Sequence, residues 1–198
     1  IPGWDREWLP YYMNEPLKNS NQTWNGCFAI PRKLSLVDDR IIQTPVESIE
    51  QLREEKITMT PKDLPVSGPT TAVNVIEDLN GDQLEIQAMF DLHNAAFCGM
   101  NILTDDEGLG GLAIVWSGDV LNVDGVKVPI EEWTPGDPIQ LHIFIDKKIV
   151  EVFVNGGMYC ISRQVREENV KGKHLSLTSL GGTAKLVSLD AWKLASIN

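Results

Sequence analysis

From Leu84 to Leu92 apolar and polar side chains alternate almost without a break. Leu84, Ile86, Ala88 and Phe90 fall on one side, and Glu85, Gln87, Met89 and Asp91 on the other. A period of two is that of a strand with one face buried. Shorter apolar runs predict further strands at Cys98–Thr104, Leu112–Trp116, Val120–Val123, Val126–Ile130, Leu141–Ile145, Ile149–Val154, Tyr159–Val165, Leu175–Leu180 and Lys185–Leu194. Between them lie turn-forming groups: Asn80-Gly81-Asp82, the acidic, glycine-rich Asp105–Gly111, Asp124-Gly125, and Asp146-Lys147-Lys148. Many short strands with one apolar face each, and no helical period after Lys56, predict two packed antiparallel sheets.

The chain before Lys56 reads differently. Residues 1–23 are rich in Trp, Tyr, Pro and Asn with no clean period, which suggests strand ends and loops. Trp24–Ile30 and Lys33–Val37 are predicted strands separated by Pro31, and Asp38-Asp39 supplies a turn into a third, Arg40–Gln43. Thr44-Pro45-Val46-Glu47 then has the form of a helix start, with Thr44 as cap, Pro45 at the first position and Glu47 completing a capping box. Val46, Ile49 and Leu52 follow on one face, predicting a short helix that ends near Glu55.

At 198 residues the chain has room for one sizeable domain plus a partial one. Its net charge of −11 and lack of a basic patch argue against nucleic acid as a partner, while a neutral sugar asks for no charge balance. No apolar stretch approaches the roughly 20 residues that cross a bilayer as a helix, so no membrane partner is expected. Cys27, Cys98 and Cys160 form no C-x-x-C and have no histidine at metal spacing; they read as buried thiols, with a disulfide between two of them left open. Asp105-Asp106-Glu107 lacks the alternating spacing of a cation loop and reads as a solvated turn. His93, His142 and His174 are scattered, and neither a P-loop nor Gly-x-Ser-x-Gly occurs. No metal and no cofactor is expected.

The motifs of the opening third resemble those of one family. Gly3-Trp4 with Trp8 four residues on is followed by Trp24-x-Gly26, an apolar strand and Pro31-Arg32-x-Leu34. Gln43-x-Pro45, Glu50 and Leu52-Arg53 come next, and much later Asp146 precedes Val150-Glu151-Val152-Phe153-Val154-Asn155. In this order and spacing the chain resembles glycoside hydrolase family 32, the invertases, inulinases and levanases. The middle, about Lys56–Asp137, is carried by strand pattern alone.

The resemblance implies an all-β chain: residues 1–45 as the last strands of a five-bladed propeller, 46–56 as a linker with a short helix, and 57–198 as a C-terminal β-sandwich. It also implies retaining hydrolysis of β-fructosidic bonds by two carboxylates. The family takes its nucleophile from Asn-Asp-Pro, a stabilising aspartate from Arg-Asp-Pro and its acid from Glu-Cys. None of these occurs in the sequence, and Gly136-Asp137-Pro138 reads as a turn. The chain is therefore expected to be a non-catalytic C-terminal fragment with no catalytic residue of its own. Its partners would be the propeller of the parent protein and, through it, fructose-containing sugars.

By the same resemblance Trp4 is the candidate substrate-binding residue, since an indole packs on the C–H face of a sugar ring; packing within the propeller is the competing reading. Trp8 is a weaker candidate and Trp24 reads as core. Arg32 and Arg53 are expected to pin the domain boundary by bonding carbonyls or carboxylates, and Glu151 to have a basic cross-strand partner. An incomplete blade would leave strand edges open to a second copy, giving a homo-oligomer. A lectin-like carbohydrate-binding sandwich is the alternative, with Trp116 and Trp133 as its candidate aromatics. Localisation, whether periplasmic, extracellular or cytoplasmic, is not legible here.

Overall fold

The computed structural model describes residues 28–67, 74–165 and 167–196. Trp4, Trp8, Trp24 and Cys27 lie outside them. The chain divides into two compact units, Ile1–Ile30 and Pro31–Asn198, and the second carries the elements below.

It opens with a hairpin of β1 (Arg32–Val37) and β2 (Arg40–Pro45), which pair only with each other. Asp38 and Asp39 both take positive φ, 46° and 61°, the geometry that lets a two-residue turn follow the natural twist of the strands. After a 3₁₀ turn, Glu47–Leu52, come β3 (Arg53–Met59), β4 (Lys62–Leu64), β5 (Gln83–Asp91), β6 (Phe97–Thr104), β7 (Leu112–Trp116), β8 (Val120–Val123) and β9 (Val126–Pro129). The remainder are β10 (Ile139–Asp146), β11 (Ile149–Val154), β12 (Tyr159–Gln164), β13 (His174–Leu180) and β14 (Ala184–Leu194).

All pairings between these strands are antiparallel, in two sheets besides the hairpin. The larger runs β12-β11-β10-β5-β14-β3, with β4 also on β14; the smaller runs β13-β6-β7-β8-β9. Their inner faces supply one contiguous core, with Phe90, Trp116, Met100, Ile143 and Leu121 fully buried. The open side of β13 is covered: Ile76 N–H donates to Leu175 and Leu177 N–H to Asn74, at 3.0 and 2.9 Å, so that edge offers few free backbone groups. At the other end of the fold Ala195 N–H donates to the Leu52 carbonyl, 2.8 Å away.

The expected α-helix over Val46–Glu55 is not formed. Thr44 and Pro45 stay in β2, Val46 precedes the turn without a side-chain cap, and Arg53 already begins β3. The spacing of Val46, Ile49 and Leu52 is three and three, which suits a 3₁₀ turn at three residues per turn as well as an α-helix. Two strands absent from the sequence reading, β3 and β4, complete the larger sheet.

Candidate functional site

The outer face of the larger sheet is where charge is buried. Strand register places Ser162, Glu151, Phe144, Glu85, Trp192 and Lys56 in one row across β12, β11, β10, β5, β14 and β3. The neighbouring row on this face carries Cys160, Phe153, His142, Gln87, Asp190 and Thr58. A sheet face with that composition ordinarily meets water. Here Glu85 is 0% and Glu151 2% exposed.

Each buried carboxylate is met by an arginine from the stretch that leads into the sandwich. Arg53, the first residue of β3, donates Nε–H and Nη2–H to the two oxygens of Glu85 at 2.8 and 2.6 Å. The same guanidinium lies 4.1 Å from the Trp192 ring centroid and 3.3 Å from Glu50. His142 Nε2 is 2.7 Å from Glu85 Oε1. Arg32, the first residue of β1, reaches Glu151 at 2.5 Å, donates to Ser162 Oγ at 2.9 Å and Gln43 Oε1 at 3.0 Å, and covers the Phe153 ring. The fork-to-fork pairing of Arg53 with Glu85 holds guanidinium and carboxylate in one geometry, whereas Arg32 meets Glu151 through a single nitrogen.

Burial by itself would raise the pKa of Glu85, yet its value is held down to about 2 by the hydrogen bonds and charges of Arg53 and His142. A proton donor for glycoside cleavage needs the opposite, a carboxyl raised toward neutrality and open to substrate. Glu85 is therefore a staple that holds Arg53 and is not equipped for acid–base work, and Glu151 holds Arg32 in turn. Arg32 and Arg53 both bond carboxylates, as expected of them; the basic partner of Glu151 comes from β1 and not from a neighbouring strand of its sheet, where Ser162 adds a 3.2 Å hydrogen bond.

A third tether joins the hairpin to the sandwich. Arg40 is hydrogen-bonded to Glu132 and lies over the Tyr159 ring, while Tyr159 O–H donates to Glu132 at 2.7 Å. Close backbone approach completes the seat: a Cβ on Gly157, whose φ is +93°, would sit 2.0 Å from the Gln43 carbonyl oxygen. Beyond these anchors Leu34, Leu36 and Ile41 remain 66%, 69% and 61% exposed. Between the segment Thr44–Glu50 and the sheet a pocket of about 300 Å³ is left, bounded also by Arg53, Gln87, Gln140, His142 and Phe153.

The other sequence candidates are placed as follows. Trp116 is fully buried, and Trp133 packs on it edge to face at 5.9 Å while donating to the Asp137 carbonyl, so the pair belongs to the core and its rim. Asp105 accepts from the N–H groups of Glu107 and Leu109, closing its own turn. Asp137 accepts from Thr134 N–H within a turn. Cys98 and Cys160 are free thiols, and burial pushes that of Cys98 up to about 12. Among the described residues no group of three or more His, Cys, Asp or Glu side chains is placed to hold a metal, and no helix is long and apolar enough to cross a membrane. Glu85 and His142 were missed as a network because alternation assigns them to a solvent face; nothing local in the sequence says that the linker covers it.

Two antiparallel sheets packed around one core define a β-sandwich. Residues 48–193 match the model of the glycosyl hydrolases family 32 C-terminal domain, and the chain belongs to that family. It is 28% identical to a sucrose-6-phosphate hydrolase of Zymomonas mobilis over 96% of this chain and 38% of that protein. It is 27% identical to a levanase of Bacillus subtilis over 100% of this chain and 32% of that protein. The chain thus spans about two fifths or less of the length of these relatives. In fold it resembles fructan 1-exohydrolase IIa from Cichorium intybus, with a TM-score of 0.69 at 19% identity over 86% of this chain and 41% of that one. Exo-inulinase from Aspergillus awamori gives 0.65 at 19% identity over 90% of this chain and 38% of that one.

Proposed function

We propose that this chain is the non-catalytic C-terminal part of a hydrolase that cleaves β-fructosidic bonds of sucrose or fructans, and that its sandwich stabilises a catalytic propeller. In this reading residues 1–45 are the last propeller strands, 46–56 the linker and 57–198 the sandwich. The observation that carries it is the pair of staples: the arginines that open β1 and β3 are each locked onto a buried glutamate of the sandwich, so the segment entering the sandwich is held in one place. Relatives named for sucrose-6-phosphate and levan hydrolysis support the substrate class. The exposed Leu34, Leu36 and Ile41 offer the propeller an apolar surface, and in the isolated chain the same patch is open to a second copy. Trp4 is the residue of this chain that we assign to the sugar pocket of the parent enzyme.

The test is to assay the purified chain on sucrose, inulin and levan for released fructose. No turnover is expected; activity that persists after removal of host enzymes overturns the reading. A lectin-like module would need aromatics on an open sheet face, and the burial of Trp116 speaks against that alternative.

A further inference from the structure

We infer that residues 31–52, the β1–β2 hairpin with its 3₁₀ turn, form a strap that opens from the larger sheet while the sandwich stays folded. Its latch is the pair of hairpin arginines, Arg32 and Arg40. No residue of 31–52 is buried, and none joins the hydrophobic core or packs against it. Every buried core residue lies between Leu64 and Ala191, so the sandwich does not draw on the strap for its core. β1 and β2 pair only with each other. The backbone bonds of Val46 to Pro31 and of Ile49 to Val46 stay within the strap, and that of Ala195 to Leu52 falls at its end.

The seat of the strap is polar. Arg32 bonds Glu151 and Ser162 and lies over Phe153, Arg40 bonds Glu132 and lies over Tyr159, and the Cys160 thiol donates to the Gln43 carbonyl at 3.5 Å. The pocket of about 300 Å³ between strap and sheet lies where packed side chains would otherwise weld the two together. A segment with few buried apolar contacts opens at a lower free energy than the core beneath it. Arg53, bound through two nitrogens to Glu85, fixes the start of β3 and marks the pivot. A two-stranded hairpin is marginal in water, so an open strap also loses its own order. Opening uncovers Phe153, Glu151 and the Cys160 thiol beside them. On the reading proposed above the strap is the joint to the propeller, which then yields before the sandwich does; the test reads the strap alone and stands whether or not that reading does.

Two cysteines supply the probe. In the whole 198-residue chain carrying Cys27→Ser, Cys160 reports the strap and the fully buried Cys98 reports the sandwich. Both are labelled under native conditions with a thiol reagent dilute enough that closing outpaces reaction, and read by peptide mass spectrometry. Cys160 is expected to react at about a thousandth of its rate in the urea-unfolded chain, and Cys98 at least about a hundredfold more slowly still. Glu151→Gln should speed Cys160 about a hundredfold, since it breaks a buried pair, and Glu132→Gln about threefold, since its pair is exposed. The core variant Ile143→Val should speed Cys98 about fivefold and leave Cys160 unchanged, because the open state keeps the core intact. Equal rates for the two thiols in the parent overturn the inference, as does a Cys160 rate that follows Ile143→Val. So does a Cys160 rate indifferent to both latch variants, or one already as fast as in urea.

Discussion

Two rows of side chains cross the larger sheet one residue apart, and they are stabilised by different physics. The inward row is Ile161, Val152, Ile143, Ile86, Ala191 and Ile57; the outward row is Ser162, Glu151, Phe144, Glu85, Trp192 and Lys56. The first gains from removal of apolar area from water, is indifferent to direction, and could be repacked in many ways. The buried carboxylates of the second are met by Arg32 of β1 and Arg53 of β3, and such charges are tolerable only with their partners in place. Burial of apolar groups makes the sandwich; burial of paired charge fixes where the β1–β2 hairpin and the start of β3 lie on it.

That contrast can be broken by truncating each row. In the inward row, Ile143→Ala should cost about 2–5 kcal/mol in urea unfolding, since the side chain is fully buried. Removing one staple partner should cost nearly as much: Arg53→Ala, about 3–5 kcal/mol, because Glu85 is left charged and buried and Trp192 loses its stacked guanidinium. The two should then part company. Arg53→Met combined with Glu85→Leu should return to within about 1 kcal/mol of the parent, since both charges are gone together. A double variant as unstable as Arg53→Ala would show that the outward row is simply more core.

The next effect is in pH. The carboxyl of Glu85 titrates far lower folded than unfolded, so its contribution is complete above about pH 5 and is lost as pH falls from about 4.5 toward 2. About 3 kcal/mol of acid lability should come from this group alone, and Glu85→Gln should flatten the stability curve over that interval. The smallest effect marks the outer limit of the comparison. Lys193→Ala, which removes the exposed pair with Glu55, should change stability by no more than about 0.5 kcal/mol.

The strands that line the core were legible because they alternate, and their turns because the residues are the ones that accept positive φ: Asp124 and Gly125, at 46° and 87°, sit where a hairpin was expected. β3 escaped notice because Arg53-Glu54-Glu55-Lys56-Ile57-Thr58-Met59 is an edge strand whose apolar residues cover only part of one face. The helix expectation failed on a single ambiguity, since three-residue spacing serves a 3₁₀ turn equally and Pro45 is tolerated at the end of an edge strand. For the staples, Arg32, Arg53 and Glu151 were each singled out, but the pairings across 119 and 32 residues follow from the fold and not from local sequence. Glu85 and His142 looked like an ordinary wet face for the same reason.

The hydrogen bond from Ala195 to Leu52 has a practical meaning. The strand that begins the larger sheet at Arg53 and the strand that ends it at Leu194 pair side by side, so the two ends of the sandwich are neighbours in space. A sequence with such adjacent ends can be lifted out, spliced into an exposed loop of an unrelated scaffold, or re-ended elsewhere without stretching any strand.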